Sequence, residues 1–243
     1  MGILQYFPPD EFYTTIDPRQ YKQGQFCWIV TPIINPVPQI LDVERRSPEE
    51  HEEVKFILRN ANRDGDFRAA DRTLPIKHLH LRAHEELLVQ RAKKRPGIIL
   101  SAGLDSYPEI TALLRAKGKK HLQEDSLFVI PCYGTESIDN PEGFPPEMVV
   151  RIRCLLYRQF FYLPPCLAIG ESIARFDRIQ VVVGKDRSAI EPLELCLSDE
   201  VFTLFLSLFF YCLSGVEDED LAAIRSLTKE AFPKTEFRGR EFR

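Results

Sequence analysis

No C-x-x-C pair occurs among the six cysteines of this chain, Cys27, Cys132, Cys154, Cys166, Cys196 and Cys212. Their wide spacing, mostly inside apolar runs such as LFVIPCYG and RIRCLLY, argues against a zinc ribbon or redox pair and predicts reduced core thiols. No apolar run reaches the roughly 20 residues that a bilayer crossing needs, the longest being VFTLFLSLFFYCL at 201–213. The opening MGILQYFPPDEF has prolines and acids where a secretory signal needs a basic flank and an apolar centre, so the expected compartment is the cytoplasm, without a membrane partner. A Gly-rich phosphate loop is missing, and SAGLDSY (101–107) lacks the G-x-S-x-G spacing of a nucleophile elbow, which argues against P-loop and serine-hydrolase chemistry. With a formal net charge of −4 there is no global pull toward nucleic acid, so any such site must be local. Internal repeats are absent too.

What is present suits an ordinary globular protein: 243 residues, 44% hydrophobic and 28% charged, enough to bury a sizeable core in one decorated domain over 1–243. Residues 1–21, rich in proline and aromatics, read as an irregular surface arm. GQFCWIVTPII (24–34) reads as a strand that the prolines at 32, 36 and 38 stop. SPEEHEEVKFILRNAN (47–62) reads as a helix with Ser47 as N-cap, Pro48 at its first position and acids in its first turn. RDGDFRAADRT (63–73) reads as a loop, and 74–94 mixes alternation with helical spacing. PGIILSAG and SLFVIPCYGT (126–135) read as strands, separated by a helix, SYPEITALLRAKG, that has a Ser106/Glu109 capping box and stops at Gly118. PPEMVVRIRCLLYRQFFYLPP (145–165) reads as a helix followed by an extended stretch, and ESIARFDRIQVVVG (171–184) as a strand pair or a bent strand. SDEVFTLFLSLFFYCLSG, capped by Ser198 and stopped by Gly215, is a helix apolar nearly all round, to be buried in the domain or in an oligomer interface. A last amphipathic helix and a basic aromatic tail follow. Short strands between helices without regular βαβ spacing predict a mainly β core with added helices, an α+β fold.

Four segments stand in a recognisable order: GQFCW, KRPGIILS, LFVIPCYGT, and ESIARFDRIQVV followed by a helix that opens LSDE. The set resembles the MazF/PemK family of toxin endoribonucleases, whose strands read G-D-[IV]-[IVLW]-W, R-P-[AV]-[VIL]-[VI]-[LV]-S, [VI]-P-[LC]-T and S-[VI]-[VAL]-x-x-D-Q-[IV]. The resemblance implies a CcdB-like, SH3-like barrel with a C-terminal helix. The core barrel would cover about 22–35 and 94–215, a long insertion after the first strand would cover 36–93, and the last helix and tail 216–243. It implies a metal-independent, single-strand endoribonuclease of a type II toxin–antitoxin system, without cofactor, working as a homodimer with a small antitoxin as partner. The chain departs from the family at three positions: Gln25 replaces the Asp after the first glycine, Tyr133 stands where the family has its catalytic threonine, and Arg178 replaces Gln in the D-Q step.

Cleaving RNA without a metal uses the ribose 2′-OH as nucleophile, which requires a base at that hydroxyl, an acid at the leaving 5′-oxygen and donors for the phosphate charge. Arg95, at the entry of PGIILSAG, is the candidate phosphate donor, because a guanidinium is permanently charged and grips two oxygens at once. Tyr133 and Thr135 follow a strand at a two-residue spacing that puts them on one side, Thr135 standing in for the missing threonine. Arg178 is a second phosphate or base contact. RAKKR (91–95), with Lys93 and Lys94, and RAKGKKH (115–121), with Lys119 and Lys120, supply the local basic density that RNA binding needs. His78, His80 and His84 form a rival acid–base or zinc set, although no single strand or helix face unites all three. A second reading of the whole chain is a barrel that has lost the chemistry and serves as a nucleic-acid- or protein-binding module.

Overall fold

The computed structural model describes residues 2–45, 54–62, 64–68, 84–102, 108–119, 122, 126–183, 189–230 and 232. The fold is α+β, with a mainly antiparallel sheet and four α-helices among these residues. The chain divides into two compact units, residues 1–30 with 94–243, and residues 31–93.

The larger unit is built on an eight-stranded sheet. Its strands are β1 (Tyr13–Thr15), β2 (Gln25–Pro32), β6 (Ala92–Ala102), β7 (Ser126–Gly134), β8 (Phe160–Leu163), β9 (Ser172–Arg175), β10 (Gln180–Val183) and β11 (Ile190–Leu197). The order is β1-β11-β2-β6-β7-β9-β8, with β10 also paired to β7. Central β7 is therefore covered by β6 along one edge, and by β9 and β10 in turn along the other. Those two are halves of one bent strand, interrupted by a 3-10 turn at Phe176–Arg178, as the pattern of 171–184 predicts. The turn is nailed down by Phe176, 3% exposed, whose ring meets Phe205 at 5.1 Å and Phe209 at 5.4 Å.

Both of those phenylalanines lie on α3 (Asp199–Ser214), which Ser198 precedes and Gly215, at φ 74°, ends. Ser198 occupies the N-cap position without a side-chain cap; its backbone carbonyl accepts from Phe202 N–H at 2.8 Å. Val201, Leu204, Phe205, Leu208 and Phe209 recur at helical spacing and are buried, while Phe210 and Leu213 are 59% and 67% exposed. α2 (Pro146–Arg153), α4 (Glu219–Glu230) and the strand β8 close the same core. A second apolar cluster, Cys27, Ile29, Ile99, Leu127, Val129 and Ile190, occupies alternate positions of the strands. All six cysteines are free thiols.

The N-terminal segment differs from the surface arm the sequence suggests. Ile3 and Phe12 are fully buried, and β1 pairs with β11, so the segment supplies core and an edge strand. Patterning gives no strand at β11 either; its Pro192 and alternating acids disguise it, and a register shift between Pro192 and Cys196 absorbs the proline.

The smaller unit contains a three-stranded sheet of β4 (Val54–Asn60), β3 (Gln39–Arg45) and β5 (Leu88–Val89) in the order β4-β3-β5. The helix expected over 47–62 is overturned at Val54–Asn60, where seven residues pair antiparallel with β3 from Gln39↔Asn60 to Arg45↔Val54. VKFILRN is rich in β-branched and aromatic residues, and cross-strand pairing outweighs the acidic, proline-led opening that imitates a helix start. Residues 47–53, with the supposed cap, lie outside the described residues. One guanidinium stitches the sheet to its turn: Arg59 pairs with Asp42, and donates from Nη1 and Nη2 to Asp66 at 2.8 and 2.6 Å. Those bonds, and then one from the Asn62 amide, hold the Asp66 carboxyl down at about 2.

α1 (Pro108–Ala116) links β6 to β7 and ends at Gly118, φ 66°; its supposed cap Ser106 lies outside the described residues. No single helix among the described residues is long and apolar enough to cross a membrane.

Candidate phosphate-binding site on the central strands

β6 begins within the basic step, so AKKRPGIILSA is one strand from Ala92 to Ala102. The Pro-Gly in it has a packing reason: a Cβ on Gly97 would lie 2.6 Å from Val129 Cγ1, in the second apolar cluster. Only glycine lets β6 approach β7 this closely, and the register Gly97↔Pro131, carried on by two residues, puts Arg95 opposite Tyr133.

The side chains meet accordingly. The Arg95 guanidinium carbon is 4.4 Å from the centre of the Tyr133 ring, and that of Arg175, from β9, is 5.1 Å from the same ring. Arg175 also lies 5.7 Å from the ring centre of Phe160, itself 6% exposed, so two aromatic rings hold this guanidinium. Asp177 completes the cluster. It accepts from Arg175 Nε at 3.0 Å and from Arg175 Nη2, and its Oδ2 lies 3.5 Å from Arg178 Nε.

Charge balance singles out one member. Among the described residues Arg153, Arg175 and Arg225 also stack on tyrosine rings, and each grips a carboxylate: Glu171, Asp177 and Glu217 respectively. Arg95 stacks on Tyr133 and forms no ion pair among the described residues. A half-buried guanidinium with its plane fixed and no counter-ion is suited to receive an external anion.

Thr135 does not join this cluster. β7 runs to Gly134, and the Thr135 hydroxyl donates to Glu171 Oε2 at 3.0 Å. Glu171 Oε1 takes the Tyr162 hydroxyl at 2.6 Å and Arg153 Nη2, which itself lies 2.9 Å from the Tyr162 oxygen. Burial pushes the Glu171 carboxyl up, but hydrogen bonds from Tyr162, Arg153 and Thr135 outweigh it and hold the group below the usual carboxylate range. Burial, and then the bond to Glu171, pushes the Tyr162 phenol up. Glu171 thus accepts from three side chains and ties the end of β7 to the start of β9.

The remaining candidates scatter. Lys94 is engaged twice, by Glu191 and by the Trp28 ring at 5.9 Å. Lys93 is exposed on β6, Lys119 is exposed just past α1, and Lys120 lies outside the described residues. Arg178 meets Asp177 rather than Tyr133. His78 and His80 lie outside the described residues, and His84 is exposed at a turn. No group of three or more His, Cys, Asp or Glu among the described residues is placed to hold a metal ion. The sequence pattern singles out neither Arg175 nor Asp177. Arg175 ends β9 and Asp177 lies in the 3-10 turn that follows, so the buried Phe176 between two charged residues is the local signal for the pair.

No family model matches this chain. Comparison with curated proteins also finds no match, and neither does comparison with solved structures.

Proposed function

We propose that this chain is a MazF/PemK-like protein that binds single-stranded RNA at the Arg95–Tyr133–Arg175 cluster and cleaves it without a metal. The observation that carries the reading is Arg95, stacked at 4.4 Å on Tyr133 and without a carboxylate of its own among the described residues. The bent strand along β7 and the helix that follows β11 support the SH3-like barrel that the sequence resembles.

The groups present match the needs of a 2′-OH attack. Asp177 supplies a carboxylate to take the 2′ proton as the hydroxyl oxygen bonds to phosphorus. Arg95 donates to the non-bridging oxygens as their charge grows. The bond from phosphorus to the 5′-oxygen breaks, and the Tyr133 phenol gives that oxygen its proton, to be refilled from water. The products are a 2′,3′-cyclic phosphate and a 5′-hydroxyl. A homodimer built through the exposed Phe210 and Leu213 of α3, an antitoxin segment competing for the arginines, and a cytoplasmic location belong to the same proposal.

A second reading, binding without cleavage, is favoured by one observation: the hydroxyl of Thr135, which would have to stand in for the family's threonine, is committed to Glu171. Incubation with single-stranded RNA and a chelator separates the two. Cleavage leaving cyclic-phosphate ends, reduced about 10²–10³-fold in Arg95→Ala as for loss of one transition-state donor, supports the nuclease. Retention without cutting, lost in the same variant, supports the binding module. RNA that is neither bound nor cut refutes both.

A further inference from the structure

The anion-binding face of Arg175 is already filled. Asp177 occupies its Nε and Nη2, the edge that a phosphate would take in a fork-to-fork contact. We propose that Asp177 is an internal stand-in for a phosphodiester: an incoming RNA phosphate displaces it from Arg175, and Asp177 thereby sets how tightly and with how many charges the site holds its ligand. This rests on the RNA-binding reading above.

Three observations carry the exchange. First, the pair is partly solvated, with Arg175 and Asp177 side chains 23% and 37% exposed, so breaking it strands neither charge in an apolar interior. Second, Asp177 does not leave empty-handed, because Arg178 Nε lies 3.5 Å from the same oxygen and can take over the carboxylate. Third, Arg175 is held independently of Asp177. The Tyr133 and Phe160 rings, at 5.1 and 5.7 Å, fix the guanidinium beside them. When the carboxylate swings away, the Arg175 guanidinium stays on the ring that it shares with Arg95. In the unliganded chain Asp177 pairs with Arg175, and Arg95 is without a carboxylate partner among the described residues.

The test uses a short oligoribonucleotide with every ribose 2′-O-methylated, which cannot be cleaved, so that binding is read apart from chemistry. Asp177→Ala and Asp177→Asn should bind it about twofold to fivefold more tightly than the wild type, the range expected when a partly exposed competing pair is removed. The salt dependence, log K against log salt, should steepen by about 0.7, one more phosphate neutralised on a single strand. Cleavage of ordinary RNA should fall in the same variants, a divergence of binding from turnover that general loss of structure does not produce. Unchanged or weaker binding without a steeper slope overturns the proposal and makes Asp177 an orienting partner of Arg175. If the substitutions prevent folding, the Arg175 Nε–H resonance of the wild-type chain reads the same exchange: it should move on titration with the probe, and a stationary signal overturns the exchange. An Arg95→Ala variant that binds as tightly as the wild type would instead remove the RNA reading. The exchange then stands or falls on whether the Asp177 variants gain more thermal stabilisation from pyrophosphate than the wild type does.

Discussion

Replacing Tyr133 separates the ring from its hydroxyl. In the structure the ring holds Arg95 at 4.4 Å and Arg175 at 5.1 Å, whereas the hydroxyl forms no hydrogen bond among the described residues and has the proposed chemical role. Phenylalanine keeps the negative face that attracts both guanidiniums, so Tyr133→Phe should bind the uncleavable probe within about twofold of the wild type, a change of less than ~0.5 kcal/mol. Its cleavage rate should fall by about 10²-fold or more, the usual contribution of a positioned general acid. Leucine removes both contacts. At about 0.5–1 kcal/mol for each partly exposed cation–π pair, Tyr133→Leu should lose ~1–2 kcal/mol of binding, roughly fivefold to thirtyfold, because the two forks are no longer aimed. The assay is fluorescence-anisotropy titration with the 2′-O-methyl probe, paired with single-turnover cleavage of the matching RNA. Wild-type cleavage by Tyr133→Phe would refute the acid role, and wild-type binding by Tyr133→Leu would refute the idea that this ring organises the site.

Two predictions concern the scaffold. A Cβ on Gly143 would lie 2.3 Å from the carbonyl carbon and oxygen of Thr135, backbone atoms that cannot rotate away, so Gly143→Ala should cost about 1–3 kcal/mol; a urea midpoint equal to that of the wild type would contradict the close crossing of these chain segments. In the smaller unit, Asp66 has a folded-state pKa of about 2 against an ordinary 3.8, set first by the bonds from Arg59. A depressed carboxylate adds stability that is fully present above the unfolded value and is lost as pH falls through the folded one. Protection of the β3 and β4 amides, taken relative to their intrinsic exchange rate at each pH, should therefore fall between about pH 4 and pH 2, and Asp66→Asn should remove that dependence; an identical acid profile in the variant would show that the Arg59 clasp does not stabilise the sheet.

Several elements were legible because their signals are local. The punctuation of α3 by Ser198 and Gly215, and the apolar run of β7, depend on a few neighbouring residues, and the structure places them where the pattern does. The bent strand, Ser172–Arg175 and Gln180–Val183, was legible for the same reason, since charged residues around Phe176 interrupt two apolar stretches. β4 was not, because acids and a proline just upstream imitate a helix opening, and only the seven-residue register with β3 decides otherwise. The buried Ile3 and Phe12 escaped as well: proline-rich sequence marks irregular backbone, and irregular backbone can still deliver side chains to a core.

The candidate site divides along the same line. Residue chemistry by itself determined that Arg95 is a permanent cation beside an apolar run, and that Tyr133 stands near the end of another, because charge and hydrophobic run length are properties of the chain. Tertiary structure decided which polar and charged groups are already engaged. Lys94 is taken by Glu191, Thr135 by Glu171 and Arg175 by Asp177, while Arg95 rests on a ring with no acid beside it among the described residues. The partner lies 36 positions away for Thr135 and 97 for Lys94, yet only two away for Arg175. Coulombic pairing depends on distance in space, and folding sets that distance only when the strands meet.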